Sequence, residues 1–159
     1  MSSLFSDPGW RRGGTLLGGE TIELDASSNP VAGRDLLGQV KIFQDQNPET
    51  GAIKSNRLVY CVAARYTGSA SLTSADGGKL YKFDVSNENS PLTEFKDLAD
   101  TANVADGQAV GVLDEYIGEG VTVRQNDVVW LVVKGPTTVA KKTGGTLAIG
   151  AVAFTQANG

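Results

Sequence analysis

The sequence contains no histidine and only one cysteine. Because histidine is the commonest general base and a frequent metal ligand, its absence excludes the usual serine and cysteine triads and most zinc sites. A single cysteine also excludes an intramolecular disulfide framework. Cys61 lies among apolar residues in a segment typical of a strand, so we expect its thiol to be buried and inert.

Long apolar runs and basic blocks are also missing. No stretch approaches the roughly 20 apolar residues of a membrane-spanning helix, and the first eight residues lack the features of a secretory signal. The formal net charge is −4, and the densest basic clusters are the pairs Arg11-Arg12 and Lys141-Lys142. Nucleic-acid binding normally requires a basic face or stripe. We expect a soluble protein that is not exported by the usual route and binds neither nucleic acid nor membrane.

Glycine, in contrast, is abundant, with 20 residues in the chain. Glycine and proline are concentrated in residues 1–35, where they disfavour a long helix and favour extended backbone. This segment is nevertheless too apolar for a solvated tail, so we predict an extended N-terminal arm that docks on its own domain or on a neighbouring subunit. Its candidate interface residues, chosen for their apolar, aromatic or guanidinium side chains, are Phe5, Trp10, Arg11, Arg12, Leu16 and Leu17.

Residues 36–159 have the pattern of a single β domain. Short apolar runs alternate with turn residues, and two runs are apolar on both faces, which is typical of strands buried between two layers. An Asp-Gly pair at 76–77 predicts a tight hairpin that leads into the third strand, in which Tyr81, Phe83 and Val85 face the core. The predicted strands are 37–43, 57–66, 79–85, 109–113, 121–123, 127–133, 137–140 and 146–154.

One short helix is also predicted. Ser90 is a suitable N-cap and Pro91 suits the first helical position, while Leu92, Phe95 and Leu98 follow at helical spacing. The predicted fold class is therefore all-β, a β-barrel or β-sandwich with one short helix and an extended N-terminal arm.

Two acidic segments could in principle carry out catalysis or bind a metal ion. Asp114 and Glu115 are adjacent, whereas a glycosidase needs two carboxyl groups on either side of one sugar bond. The segment 84–90 is rich in oxygen ligands but lacks the glycine and distal glutamate of an EF-hand, so we interpret it as a polar turn. We predict no catalytic residue, no cofactor and no metal, and we expect that the protein is not an enzyme.

A resemblance to a known family rests on residues 105–159. The segments 111–115, 120–130 and 144–150, followed by the small residues of 150–154, resemble the small β-barrel decoration (cement) proteins of tailed-bacteriophage capsids. The resemblance implies a structural protein on the outer capsid surface of the virion that binds the major capsid protein and stabilises contacts between its subunits. It also implies a homo-oligomer, with a trimer favoured.

Two other functions stay open at this point. A carbohydrate-binding or adhesin module would use exposed aromatic side chains, with Trp10, Tyr66, Tyr116 and Trp130 as the candidates. A phage tail or baseplate subunit would use the arm to add a strand to the next copy.

Overall fold

The computed structural model describes residues 12–13, 15–17, 37–84, 93–98, 110–117 and 122–139. These ranges are mostly β-sheet, which confirms the all-β fold class. They contain one short 3-10 helix, Ser74–Asp76, and no helix long and apolar enough to cross a bilayer. The strands are β1 Thr15–Leu17, β2 Val40–Gln46, β3 Ile53–Tyr66, β4 Leu80–Phe83, β5 Glu94–Leu98, β6 Val110–Leu113 and β7 Val128–Lys134.

The strand pairings form a closed circuit. β3 pairs with β7, β7 with β6, β6 with β4, and β4 with β5, all antiparallel, and β5 returns to β3 in a parallel pair. β2 is outside this circuit and pairs with the first part of β3, while β1 pairs with β7. The two strands outside the circuit, β1 and β2, are therefore attached to it through β7 and β3 respectively.

The second half of β3, from Val59, and most of β7 are buried on both faces, as the sequence predicts. One face of each contributes to a first core, to which every strand of the circuit adds a side chain. The opposite faces form a second core of Val59, Cys61, Ala63, Val128, Trp130 and Val132. Because burial of one large apolar side chain stabilises the fold by about 1.5–3 kcal/mol, these two strands carry much of the hydrophobic free energy. The first core consists of Val62, Ala64, Tyr66, Leu72, Tyr81, Phe83, Phe95, Leu113, Ile117, Val123, Val129 and Leu131.

The prediction of a short helix is wrong for residues 94–98, which form strand β5. Phe95 is fully buried in the first core, where its ring packs against Tyr66 and Tyr81 at centroid distances of 5.3 Å. A helix of about ten residues is marginal by itself, whereas the strand gains hydrogen bonds to both β3 and β4. Ser90, Pro91 and Leu92 lie outside the described residues.

Strands β2 and β3 form a hairpin, and both extend further towards their connecting loop than predicted because that loop is well formed. The side-chain Oδ1 of Asn47 accepts hydrogen bonds from the backbone N–H groups of Glu49 and Thr50. Gly51 adopts a φ of 70° at the end of the loop, and the N–H of Asn47 donates to the carbonyl of Ala52. Strand β3 consequently begins at Ile53, four residues before the predicted start.

Three other strand predictions need correction. The Asp76-Gly77 pair closes no two-strand hairpin, because a Thr73 capping box starts the 3-10 helix there. Val123 forms only an isolated bridge with Leu72, and residues 137–139 are not in a strand. Tyr81 and Phe83 are buried as predicted. Val85 and residues 140 and 146–154 lie outside the described residues.

Two glycines with positive φ provide a matched test of the β3–β7 contact. A Cβ at Gly135 would overlap the carbonyl oxygen of Leu58, whereas a Cβ at Gly51 would meet open space. We expect Gly135→Ala to lower the free energy of unfolding by at least about 2 kcal/mol, and Gly51→Ala by about 1 kcal/mol from backbone strain alone. Urea denaturation of both variants measures the difference, and equal losses would contradict the close approach of Gly135 to β3.

Candidate functional site

The candidate site is a group of charged residues that pack together at the second core. It joins the N-terminal arm to β2, to β3 and to the turn that follows β6. We call it the Arg12 cluster, and it consists of Arg12, Asp45, Lys54, Asp114, Glu115 and Tyr116.

Arg12 is at the centre of the cluster and is only 3% exposed. Its Nε donates a hydrogen bond to Oδ2 of Asp114 at 2.8 Å, and its Nη1 donates to Oδ1 of Asp45 at 3.3 Å. The guanidinium carbon lies 5.3 Å from the ring centroid of Tyr116, within the range of a cation–π contact. The next residue, Gly13, has a φ of 74°, and a Cβ there would overlap the backbone of Tyr116. Arg12 and Gly13 are therefore packed tightly against the turn that follows β6.

The carboxylates around Arg12 have further partners that fix their positions. Ser55 Oγ donates to Asp45 at 2.7 Å, and the backbone N–H of Tyr116 donates to Asp114 at 3.1 Å. Lys54 Nζ lies 2.9 Å from both carboxylate oxygens of Glu115. The hydroxyl of Thr138, which follows β7, donates to the same carboxylate.

Burial and charge act in opposite directions on the pKa values of the cluster. Complete burial raises the pKa of Asp114, even though the Arg12 guanidinium opposes the shift. For Arg12, burial by itself would lower the pKa. The charge and hydrogen bond of the Asp114 carboxylate outweigh this effect, so the pKa of Arg12 is raised. Glu115 is partly exposed, and its bonds from Thr138 and Lys54 outweigh burial and lower its pKa. The cluster thus keeps Arg12 charged at every physiological pH.

Cys61 lies in the second core beside this cluster and is fully buried, as predicted. Burial, with a smaller contribution from the negative charge of Asp114, raises the pKa of its thiol from 9.0 to about 12. A thiol in this state is a poor nucleophile, since the thiolate is the reactive form.

The predicted interface residues have different positions. Arg12 is buried against its own domain, and Leu16 and Leu17 belong to β1, in which Leu17 pairs with Val128 of β7. The described part of the arm therefore docks on its own chain. Phe5, Trp10 and Arg11 lie outside the described residues. Their role at an interface, and that of Arg12, Leu16 and Leu17, stays a prediction.

The remaining candidates from the sequence are limited by burial. Asp114 is inaccessible to a substrate because it is fully buried and paired with Arg12. Tyr66 and Trp130 are buried and offer no aromatic surface to a sugar. Of the oxygen-rich segment 84–90, Asp84 alone is described. Among the described ranges, no group of three or more histidine, cysteine or acidic residues has the geometry to hold a metal ion.

A second buried ion pair was not expected from the sequence. Arg65 on β3 and Glu94 at the start of β5 are both buried and form a salt bridge, and Arg65 Nη1 donates to Asn126 Oδ1 at 3.2 Å. Sequence reasoning also missed Asp45 and Lys54 in the Arg12 cluster. The available signal was a charged residue inside an otherwise apolar strand, such as Arg65 in β3, because a buried charge needs a partner.

The chain matches no protein-family model, no curated protein and no solved structure.

Removal of the central cation tests the cluster. Arg12→Ala leaves the Asp114 carboxylate buried without its guanidinium partner, so we expect the free energy of unfolding to fall by about 3–5 kcal/mol. The double variant Arg12→Met/Asp114→Leu removes the charges of this pair and should recover part of the loss, since the buried Asp45 carboxylate still lacks its guanidinium partner. Arg124→Ala, at an exposed arginine, is the control and should change stability by less than about 0.5 kcal/mol. An Arg12→Ala effect as small as that of the control would contradict the described docking of the arm.

The raised pKa of Cys61 predicts a dependence of stability on alkaline pH. Above pH 9 the thiol ionises in the unfolded chain but stays protonated in the folded one, so the folded state loses up to about 1.4 kcal/mol per pH unit from this group. Denaturation between pH 8.5 and 10.5 should show a steeper loss for the wild type than for Cys61→Ala. Parallel pH profiles would show that the thiol is not desolvated.

Proposed function

We propose that this protein is a structural virion protein that binds the outer surface of a bacteriophage capsid and stabilises contacts between major capsid protein subunits. One observation carries the proposal, namely the distribution of charged and apolar residues in the described chain. Two ion pairs are buried, one between Arg12 and Asp114 and the other between Arg65 and Glu94. Large apolar side chains are instead exposed at Val40, Ile42, Ile53, Leu58, Val133 and Val139.

This distribution suits a scaffold that associates with another surface. Buried ion pairs fix the arm and the strands relative to one another but leave their charges unavailable to a substrate. Three of these side chains, Val40, Ile42 and Leu58, share one face of the β2–β3 hairpin, and neighbouring exposed apolar side chains are a common mark of protein–protein contact sites. An assembly protein needs both properties and needs no reactive group, so we propose that it is not an enzyme.

We further infer that the body is a small barrel, as in the family that the sequence resembles. The support is the closed circuit of pairings through β3, β7, β6, β4 and β5, whose side chains meet in the first core. A closed sheet has few free edges and so limits unwanted strand pairing. A rigid body of this kind suits a protein that contributes to the strength of a shell.

The oligomer that we propose is a homotrimer on the capsid surface of the virion. A tail or baseplate subunit is the second candidate, and the long β2–β3 hairpin with its exposed apolar side chains favours it. A closed oligomer and an open filament differ in their symmetry, because only a contact that closes on itself stops growing. Light scattering over a range of concentrations separates the two, since mass stays constant for a trimer and increases for a filament.

Binding to shells tests the proposed function and the role of the arm. The probe is a shell assembled from the major capsid protein encoded in the same genome, and cosedimentation measures bound protein. The wild type should bind at saturable sites. Phe5→Ala/Trp10→Ala should bind at least about tenfold more weakly without loss of stability, because aromatic side chains commonly dominate interface energies. Absence of wild-type binding would reject the proposed function, and equal binding by the double variant would remove the arm from the contact.

A further inference from the structure

The two-stranded hairpin β2–β3 continues beyond the closed circuit of strands. Hydrogen-bonded pairing of β3 with β7 begins at Tyr60, whereas Ile53, Leu58 and Val59 have pairing partners in β2 alone among the described strands. The side chains of Val62, Ala64 and Tyr66 belong to the first core. Because side chains two residues apart lie on the same face of a strand, Tyr60 and Leu58 extend this face outward.

The same face continues on β2. Val40 pairs with Val62, and Ile42 pairs with Tyr60, and directly opposed residues of an antiparallel pair share a face. The exposed fractions are 61% for Val40, 51% for Ile42 and 50% for Leu58, whereas Val62 is 8% exposed. The face that is buried inside the first core thus becomes a solvent-exposed apolar surface on the hairpin. We call this surface the apolar strip, consisting of Val40, Ile42, Leu58 and Tyr60.

The charge beside the apolar strip is positive. Lys134 pairs with Tyr60 on the β7 side, and its Nζ lies 5.2 Å from the centroid of the Tyr60 ring. Gln44, opposite Leu58, contributes a neutral amide. The nearest acidic residue of β2, Asp45, belongs to the Arg12 cluster and is buried. Although the chain has a net charge of −4, the described residues of β2, β3 and β7 place a cation, Lys134, beside the exposed apolar strip, and the one carboxylate of β2 is buried.

We infer that the apolar strip is the surface that contacts the shell, and that the shell surface it fits is apolar and carries a carboxylate within reach of Lys134. This inference rests on the proposed function and adds the face, the residues and the chemistry of the partner surface.

The same features argue against pairing of two strips across a two-fold axis, because two Lys134 side chains would then lie in one interface, where like charges repel. A contact within the proposed trimer would instead place the strip against a different surface of the next copy, and self-association of the variants distinguishes that arrangement. Four side chains also provide far less than the roughly 800 Å² per partner of a typical stable interface. A small contact of this kind is effective when the protein is also held at a second place, because the second contact then forms at high effective concentration.

The experiment compares four variants with the wild type in shell cosedimentation, with shells assembled from the major capsid protein of the same genome. Ile42→Thr/Leu58→Thr shortens the strip and keeps the β-propensity of both strands. Val139→Thr is the matched control, because Val139 is 44% exposed and lies outside the strip. Lys134→Glu reverses the charge, and Arg124→Glu is its control at another exposed cation. Denaturation checks that all variants remain folded.

We expect the double threonine variant to bind at least about tenfold more weakly than the wild type, and Val139→Thr to bind within about twofold of it. Lys134→Glu should weaken binding more at 50 mM than at 500 mM salt, in contrast to Arg124→Glu, because salt screens the charge contact. If the wild type binds, and the double threonine variant and Lys134→Glu both bind as well as the wild type, the inference is wrong while the proposed function stands. If no protein binds, both are wrong. If the double threonine variant or Lys134→Glu lost self-association while its shell binding stayed unchanged, a second copy would be the occupant of the strip and the inference would be overturned.

Discussion

The antiparallel pair of β3 and β7 is the contact on which the rest of the structure depends. Alternate residues of each strand enter the first core, and those between them enter the second. Every other described strand pairs with one of these two or completes the circuit between them. Separation of the two strands would expose both cores at once and lose the hydrophobic free energy of each. The two cores should therefore unfold together.

The buried charges have a different role. Desolvation of Asp114 is costly enough to raise its pKa even beside Arg12, so the ion pair adds little net stability compared with apolar residues of the same size. Its value is positional, because one guanidinium simultaneously contacts the turn after β6 through Asp114 and strand β2 through Asp45. An apolar side chain at residue 12 would tolerate many orientations of the arm, whereas directional hydrogen bonds admit one.

The sequence predicts those parts of the fold that depend on local pattern. Alternation identifies the two-sided burial of β3 and β7, the core positions of Tyr81 and Phe83, and the buried thiol of Cys61. It fails at β5, where Leu92, Phe95 and Leu98 fit helical spacing, because the partners that hold Phe95 in a strand are distant in sequence. Alternation carries no information on the partners of Arg12, whose acceptors lie 33 and 102 residues away. Long-range polar contacts leave no local periodicity, so the burial of Arg12 could not be predicted from the sequence.

The separation of Arg12 from Asp114 has a consequence for biosynthesis. Ribosomes add about 5–20 residues per second, so Arg12 is added to the chain roughly 5–20 s before residue 114. During this interval the arm has no docking position on its own chain, while a completed molecule nearby offers an identical one. Any exchange of arms between molecules made on the same message would depend on local concentration, and a segment synthesised before its partners is among the last to be fixed.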